Sequence, residues 1–357
     1  MKIDKLEQIF EKMEEKNLSQ MIITEPMAIY YLTGVYNNPG ERLYALYINR
    51  NGKNVLLMNK LFNLNTDPGT EITWMTDTDD GISILLDIMD TTKDMGVDKT
   101  WAAGFLLDMM KRCANIKYVL SSDSVDFVRA KKDDKELELM RKSSEINDDV
   151  MMKISKYIKK GMTEKQCADK IMEYYSAHGI KDLSFPSIVS FGPNGADPHH
   201  SPDDTVLKAG DSIVVDIGCV YEGYCSDMTR TFFCEDTLDE YKEIHDIVRE
   251  ANEKAIALVR PGVLLADVDK AARDYISEKG YGQYFTHRLG HFIGLTDHEA
   301  GDVSATNLNA CEVGNVFSIE PGIYLPEKMG VRVEDLIVVT EDGYELLNKV
   351  DKHYKMI

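Results

Sequence analysis

Residues 211–233 read DSIVVDIGCVYEGYCSDMTRTFF. Apolar residues run on both sides of Glu222-Gly223, a dipeptide suited to a two-residue turn, so the stretch reads as a β-hairpin. Folding about that turn sets Tyr221 opposite Tyr224, Gly218 opposite Asp227 and Asp216 opposite Thr229. Asp216 and Asp227 then share a face as diagonal neighbours, about 7–8 Å apart. A slip of one residue would send one of them to the other face. Ile213, Val215 and Ile217 already cover the opposite face, so the two acids do not read as the polar side of a surface hairpin. Gly218 is expected to leave room beside Asp216 for a ligand or water.

The pattern recurs downstream. VFSIE (316–320) and VRVEDLIVV (331–339) are apolar strands around a Pro- and Gly-containing turn. A hairpin centred near Glu327 puts Glu320 opposite Glu334. A glutamate in so apolar a strand is costly to bury without a partner. Arg332, two residues before Glu334, shares its face and is a candidate partner for the carboxylates. His291 lies between Gly290 and Gly294 in GHFIGL, where glycines let backbones approach closely. All eight histidines fall within 100 residues of one of these acids, and five of them, His199, His200, His287, His291 and His298, are read as imidazoles clustering beside the carboxylates. Four carboxylates and an imidazole can converge only around positive charge. Two adjacent divalent cations bridged by carboxylates would balance them and would activate a water for hydrolysis. An oxygen-rich set with one imidazole points to Mn²⁺ before Co²⁺, Fe²⁺ or Zn²⁺.

At 357 residues the chain exceeds one typical core and implies two domains. A net charge of -20 argues against nucleic acid or an anionic membrane as partner and suits a cytoplasmic protein. The six cysteines form no C-x-x-C pair and read as reduced thiols. The N-terminus is a charged amphipathic helix rather than a signal peptide, and no run of about 18 apolar residues suggests a membrane span.

Strands and helices alternate over residues 1–125, implying a small α/β domain with a mixed sheet. Helices are expected at 4–16, 83–92 and 102–114, and strands at 21–24, 42–48, 54–58 and 97–101. Ala28 to Leu32 reads as a helical turn or strand edge, and Asn51-Gly52 as a hairpin turn. The charge run Arg129 to Lys135 reads as a solvated linker and helix start. Residues 126–357 form the second domain, with helices at 163–179 (capped by Thr163), 239–259 and 266–280 between strand-rich stretches.

The five candidate ligands, with GPNGADPHH (192–200) before them and HEAG (298–301) after GHFIGLTD, resemble the dinuclear metallopeptidases of the pita-bread fold. That family includes methionine aminopeptidase, aminopeptidase P and prolidase. KLEQIFEKMEEKNLSQMIITEPMAIYYLTGV (5–35) resembles the creatinase-type N-terminal domain, which methionine aminopeptidase lacks, and this narrows the likeness to the proline-directed branch and creatinase-like relatives. The resemblance spans essentially the whole chain. It implies an α+β fold, with a creatinase-type N-terminal α/β domain followed by a pita-bread catalytic domain built on a curved antiparallel sheet. It implies two divalent metal ions per subunit, held by Asp216, Asp227, His291, Glu320 and Glu334, with Asp227 and Glu334 bridging. His199 and His298 would contact the substrate and the reacting carbonyl, His287 would line a proline pocket, and Arg332 would support the substrate site. Glu320 would carry a proton to the leaving nitrogen.

The implied activity is hydrolysis of Xaa-Pro dipeptides. Three alternatives remain: an aminopeptidase P acting on longer peptides, a creatinase-like hydrolase of non-peptide amides, and a binding protein that has kept the fold. A homodimer is implied as well. In short prolidases the loop matching NNPGERLYAL (37–46) often reads Asp-Pro-His-Glu-Arg and reaches the partner's active site. Here Asn38 and Gly40 replace the Asp and the His, which leaves dipeptide selectivity open. Arg42, Arg288 and Arg332 are the candidate cations for a dipeptide carboxylate.

Overall fold

The computed structural model describes residues 1–64 and 66–357. They fall into two compact units, Met1–Arg129 and Ala130–Ile357.

The first unit contains α1 (Ile3–Glu15), β1 (Gln20–Ile23), α2 (Pro26–Thr33), β2 (Ala45–Asn49), β3 (Val55–Asn59), β4 (Glu71–Met75), α3 (Gly81–Ile88), β5 (Met95–Val97), α4 (Ala103–Arg112) and β6 (Tyr118–Leu120), and α5 (Ser122–Ala130) runs to its end. Its sheet has the order β4-β3-β2-β1-β5-β6. The β1-β2 and β2-β3 pairs are antiparallel and the others parallel, giving the expected mixed sheet. Two readings are corrected here. Ala28 to Leu32 belongs to a full helix, because Glu25 accepts from the Met27 and Ala28 N–H groups and Gly34 ends it at φ 72°. The strand placed at 97–101 is Met95–Val97. Asp98 leaves the sheet to accept from the backbone N–H groups of Thr24 and Glu25 and from the Thr24 hydroxyl.

The second unit contains α6 (Asp134–Tyr157), α7 (Glu164–Ala177), β7 (Ile188–Phe191), β8 (Ser212–Ile217), β9 (Val220–Tyr221), β10 (Tyr224–Cys225), β11 (Met228–Phe233), α8 (Asp239–Ile256), α9 (Leu265–Glu278), β12 (Gly290–Phe292), β13 (Glu299–Val303), β14 (Val316–Ile319), β15 (Gly322–Leu325), β16 (Met329–Arg332), β17 (Asp335–Thr340) and β18 (Gly343–Leu346). Among the described residues these strands pair with one another only in antiparallel fashion, and a single parallel bridge joins Phe233 to Met356 near the end of the chain. The unit is built twice over. In each half a pair of helices packs on a sheet: α6 and α7 on the β11-β8-β7 sheet, α8 and α9 on the sheet containing β12, β14 and β17. Each half contributes one hairpin that carries two acids.

Those hairpins have the registers read from the sequence. Tyr221 pairs with Tyr224 and Asp216 with Thr229. Glu222 and Gly223 take φ 47° and 92°, the left-handed pair that a tight primed turn demands. In the second hairpin Ile319 pairs with Asp335 and Gly322 with Arg332, so Glu320 and Glu334 face each other between these two paired stretches.

The charge run Arg129 to Lys135 is not uniformly solvated, which corrects the expectation. Arg129 is buried and pairs with Glu25 at 2.8 Å. Lys132 is buried against Glu299, 2.9 Å away, and desolvated charges persist only when paired in this way. Arg230 is the largest such case and joins three segments. Its Nη2 donates to Asp335 Oδ1 (2.8 Å) and to the Val350 carbonyl, and its Nη1 to the carbonyls of Thr229 and Glu334. Lys352 pairs with the other Asp335 oxygen at 2.7 Å.

No helix among the described residues is long and apolar enough to cross a membrane. Removing the Arg230 guanidinium would strand several buried acceptors at once. Arg230→Met is therefore expected to lower unfolding free energy by about 3 kcal/mol or more. Urea unfolding followed by circular dichroism checks this, and a loss under about 1 kcal/mol would contradict it.

Candidate metal centre

Asp216 is the penultimate residue of β8, and Asp227 precedes β11. His291 is the middle residue of β12, Glu320 follows β14, and Glu334 sits between β16 and β17. All five line one cavity of about 470 Å³ in the second unit, together with His199, His287, His298 and Arg332. Arg288 lines it as well, whereas Arg42, the third candidate for a substrate carboxylate, lies in the first unit and does not.

The tightest group is Asp227, His291 and Glu334, which each offer an atom within 4.8 Å of the others. His291 Nε2 lies 3.6 Å from Asp227 Oδ2 and 3.5 Å from Glu320 Oε1. His291 Nδ1–H donates to the Phe292 carbonyl at 3.2 Å, so Nε2 keeps its lone pair towards the acids. Glu334 accepts from Thr229 Oγ1 at 2.8 Å, and Glu320 from Ser318 Oγ at 3.3 Å. Asp216 differs from the rest. Its Oδ2 accepts from Arg332 Nη2 at 2.7 Å, while its Oδ1 is free. Arg332 is therefore the partner of Asp216 rather than of Glu320 and Glu334.

Burial drives the electrostatics. It pushes the Glu320 carboxyl up to about 7, helped by Asp216 and opposed by Arg332. Asp227 and Glu334 are raised well above the carboxylate range, by burial first and then by neighbouring carboxylates. Burial likewise lowers His291 to about 3. Carboxylates this crowded and dry favour bound protons unless a cation lies among them. Asp216 Oδ1 and Asp227 Oδ1 are buried without any hydrogen-bond partner. Orphaned buried carboxylate oxygens in the same cavity as a neutral imidazole form a donor set that fits hard or borderline divalent cations.

Around this floor stand the other residues. The His298 ring stacks on His291 with centroids 3.8 Å apart, and His298 Nδ1 lies 3.1 Å from Arg288 Nη2. The His199 side chain is exposed at the cavity edge. His287 Nδ1–H donates to the Arg288 carbonyl, and its Nε2 lies 2.9 Å from the Tyr324 hydroxyl. Arg332 Nη1 donates to that same hydroxyl at 3.0 Å. Tyr324 was missed in the sequence. A signal existed: Gly322 opposes Arg332 in a legible hairpin, and Tyr324 lies two residues on, on the same face. A Cβ on Gly322 would sit 2.4 Å from the Tyr324 hydroxyl, so that glycine makes room for the ring.

Gly218 is also reassigned. A Cβ there would meet the Ser226 carbonyl at 2.1 Å and the Phe185 ring at 2.9 Å. The space it leaves is filled by the protein itself, not by a ligand. Gly290 behaves as expected, since a Cβ there would lie 1.9 Å from the Ser318 carbonyl.

Without metal, Glu320, Asp227 and Glu334 hold protons in the folded chain that they would release on unfolding, so stability falls as pH rises through their folded values. His245, His287 and His291 are held low, to about 3, 4 and 3, and oppose this trend below about pH 6.5, where unfolded histidines take up protons. Between about pH 6.5 and 8 the carboxyls dominate, at on the order of 1 kcal/mol per pH unit for each one still protonated. Calorimetry in chelator should show a lower melting temperature at pH 8 than at pH 6.5, and saturating Mn²⁺ should abolish the fall. A melting temperature that rises over this interval in chelator would contradict the reading.

Comparison with known proteins agrees with this geometry. Residues 138–341 match the metallopeptidase family M24, and residues 5–131 match the creatinase/prolidase N-terminal domain. An uncharacterized peptidase of Staphylococcus aureus is 38% identical over 98% of this chain and 99% of its own length. Among solved structures, a dipeptidase from Mycobacterium ulcerans superposes with a TM-score of 0.93 at 34% identity, covering 99% of this chain and 97% of that one. An Xaa-Pro dipeptidase from Bacillus anthracis superposes with a TM-score of 0.90 at 27% identity, covering 99% of each. The chain carries both matched regions end to end, and it belongs to metallopeptidase family M24, whose members use divalent metal ions, with a creatinase/prolidase-type domain at its N-terminus.

Proposed function

We propose that this M24 peptidase hydrolyses Xaa-Pro dipeptides using two divalent cations per subunit, Mn²⁺ foremost. The observation that carries the reading is the single cavity that joins a floor of four carboxylates, three buried and Glu320 half-buried, to a rim of histidines and one accessible arginine. Its volume of about 470 Å³ lies in the range of small-molecule sites. The dipeptidase and Xaa-Pro dipeptidase likenesses support the substrate class.

In this reading Asp216, Asp227, His291, Glu320 and Glu334 would hold the cations. Bound there, divalent cations supply a water of lowered pKa and polarise the scissile carbonyl. The remaining steps belong to the side chains. The substrate's free amine enters towards the carboxylate floor, which favours cleavage at the N-terminus. Glu320 accepts the proton of the attacking water and passes it to the proline nitrogen, which has no N–H of its own and must be protonated to leave. His298, stacked on His291, donates to the carbonyl oxygen as negative charge develops. His199 contacts the substrate from the cavity edge. His287, with both ring nitrogens engaged and its pKa lowered by burial to about 4, offers a neutral wall to the proline ring.

Three arginines were candidates for the dipeptide carboxylate, and their surroundings separate them. Arg332 is buried and committed to Asp216, Tyr324 and Thr229. Arg42 forms a two-pronged pair with Asp77 in its own unit. Arg288 lines the cavity with its side chain 38% exposed, and its nearest acid, Asp302, is 4.0 Å away. Arg288 is therefore assigned the carboxylate. A homodimer in the cytoplasm completes the proposal. The dimer rests on family resemblance, and a monomer in analytical ultracentrifugation would remove it.

Hydrolysis of Met-Pro and Leu-Pro should be compared with Leu-Pro-Pro and bradykinin-like peptides, each with Mn²⁺, Co²⁺ or chelator. Cleavage of the dipeptides alone, abolished by chelator, is expected. Cleavage of the longer peptides would make the protein an Xaa-Pro aminopeptidase instead. Glu320→Gln should lower kcat by about 10²- to 10⁴-fold. Arg288→Met should raise KM for Leu-Pro by about 10- to 100-fold, the loss of one charge-assisted hydrogen bond, and leave the C-terminal amide of Leu-Pro unaffected. Equal effects on acid and amide would contradict the Arg288 assignment.

A further inference from the structure

A second group of metal-like side chains, Glu164, His200 and Asp203, lies within the same unit. Its chemistry differs from the first. Glu164 is the first residue of α7, with no side-chain exposure, behind a capping box formed by Thr163 and Gln166. Each of its oxygens already accepts two hydrogen bonds. Oε1 takes the Phe191 N–H at 2.7 Å and Asn194 Nδ2 at 3.0 Å. Oε2 takes the Asp203 N–H at 3.0 Å and His200 Nε2 at 2.7 Å. Four donors and a helix N-terminus satisfy this carboxylate, and no oxygen is left for a cation.

These donors share one feature. Phe191, Asn194, His200 and Asp203 span the loop that carries GPNGADPHH, and His199, His200, Ser201 and Pro202 of that loop line the proposed substrate cavity. Asn194 spends its second amide hydrogen on Thr205 Oγ1 at 3.0 Å, so the Nε2 proton on His200 must go to Glu164. The opposite side of the loop is fixed by backbone packing: a Cβ on Gly330 would lie 1.7 Å from the Gly195 carbonyl. The loop is gripped between β16 on one side and Glu164 on the other.

We propose that Glu164 is the positioning residue of this loop: it holds His200 as the Nε2–H tautomer and thereby sets where His199 stands over the carboxylate floor. The kinetic part rests on the peptidase reading above, whereas the structural part does not. A buried carboxylate joined to four points of one loop fixes it more rigidly than side-chain packing would, and misplacement of substrate contacts by about 1 Å can cost 10²-fold in rate.

The test is Glu164→Gln in the full chain. Hydrogen exchange at the Phe191 and Asp203 amides should quicken by about 10-fold or more as each loses an ionised acceptor. Nitrogen-15 NMR should show His200, assigned by its loss in His200→Leu, as an Nε2–H tautomer in the wild type and a mixture in Glu164→Gln. Metal content should stay unchanged, and loss of an ion would overturn the proposal in favour of a third metal position. With whichever peptide the wild type cleaves, KM should rise about 10-fold, and the effect should be much less than additive with His199→Ala. Unchanged exchange, or full additivity with His199→Ala, would overturn it. Should Glu164→Gln fail to fold, His200→Gln keeps an amide donor for Glu164 and should lose several-fold less activity than His200→Leu, and equal losses would overturn the proposal. A wild type that cleaves no peptide would defeat the peptidase reading alone, leaving the exchange and NMR results to judge Glu164.

Discussion

Asp216, Asp227, Glu320 and Glu334 meet around one desolvated space, and mutual repulsion there is the constraint on which the rest of the second unit depends. A carboxylate in such surroundings must be hydrogen-bonded, protonated or bound to a cation. The protein supplies only part of the compensation. Arg332 meets one oxygen of Asp216, Thr229 one of Glu334, and Ser318 one of Glu320. Asp216 Oδ1 and Asp227 Oδ1 are left buried with no hydrogen-bond partner. A fold that only needed stability would not keep them.

Positioning that cluster explains much of the architecture. The two acid-bearing hairpins come from opposite halves of the unit, each backed by its own helix pair and apolar core. Asp216 lies on a strand, and Asp227, Glu320 and Glu334 sit in short breaks held between paired strands. Buried Arg230 joins β11 to Asp335 and to the chain after Val350, so the backbone on either side of Glu334 is held at several points. Loop-borne groups, His199 and His298, are fixed less directly, through Glu164 and through the Lys132–Glu299 pair beside His298.

Much of this was legible in the sequence for a simple reason. A strand has a side-chain period of two, so once a turn is located every opposing pair follows. Glu222-Gly223 and Glu327 located the turns, and the registers of both hairpins followed to the residue. Contacts made across the fold were less legible. The sequence placed Arg332 beside Glu334, but its partner Asp216 lies on a strand 116 residues away. Nothing local distinguishes Tyr324 from any strand aromatic or Glu164 from any helix-start acid. Lys132 looked like part of a solvated run, because nothing local reveals that Glu299 covers it. Gly218 shows the converse: a glycine beside an acid suggested space for a ligand, while the structure fills that space with Ser226 and Phe185.

The central claim is that the five residues exist to hold cations, and counting ions tests it most directly. Plasma mass spectrometry on protein equilibrated with Mn²⁺ and dialysed should find two ions per chain in the wild type. Asp227→Asn, which removes one of the proposed ligands, should fall to one or fewer while remaining folded. A wild type that binds none with all five residues intact, or a variant whose ion count does not change, would contradict the account.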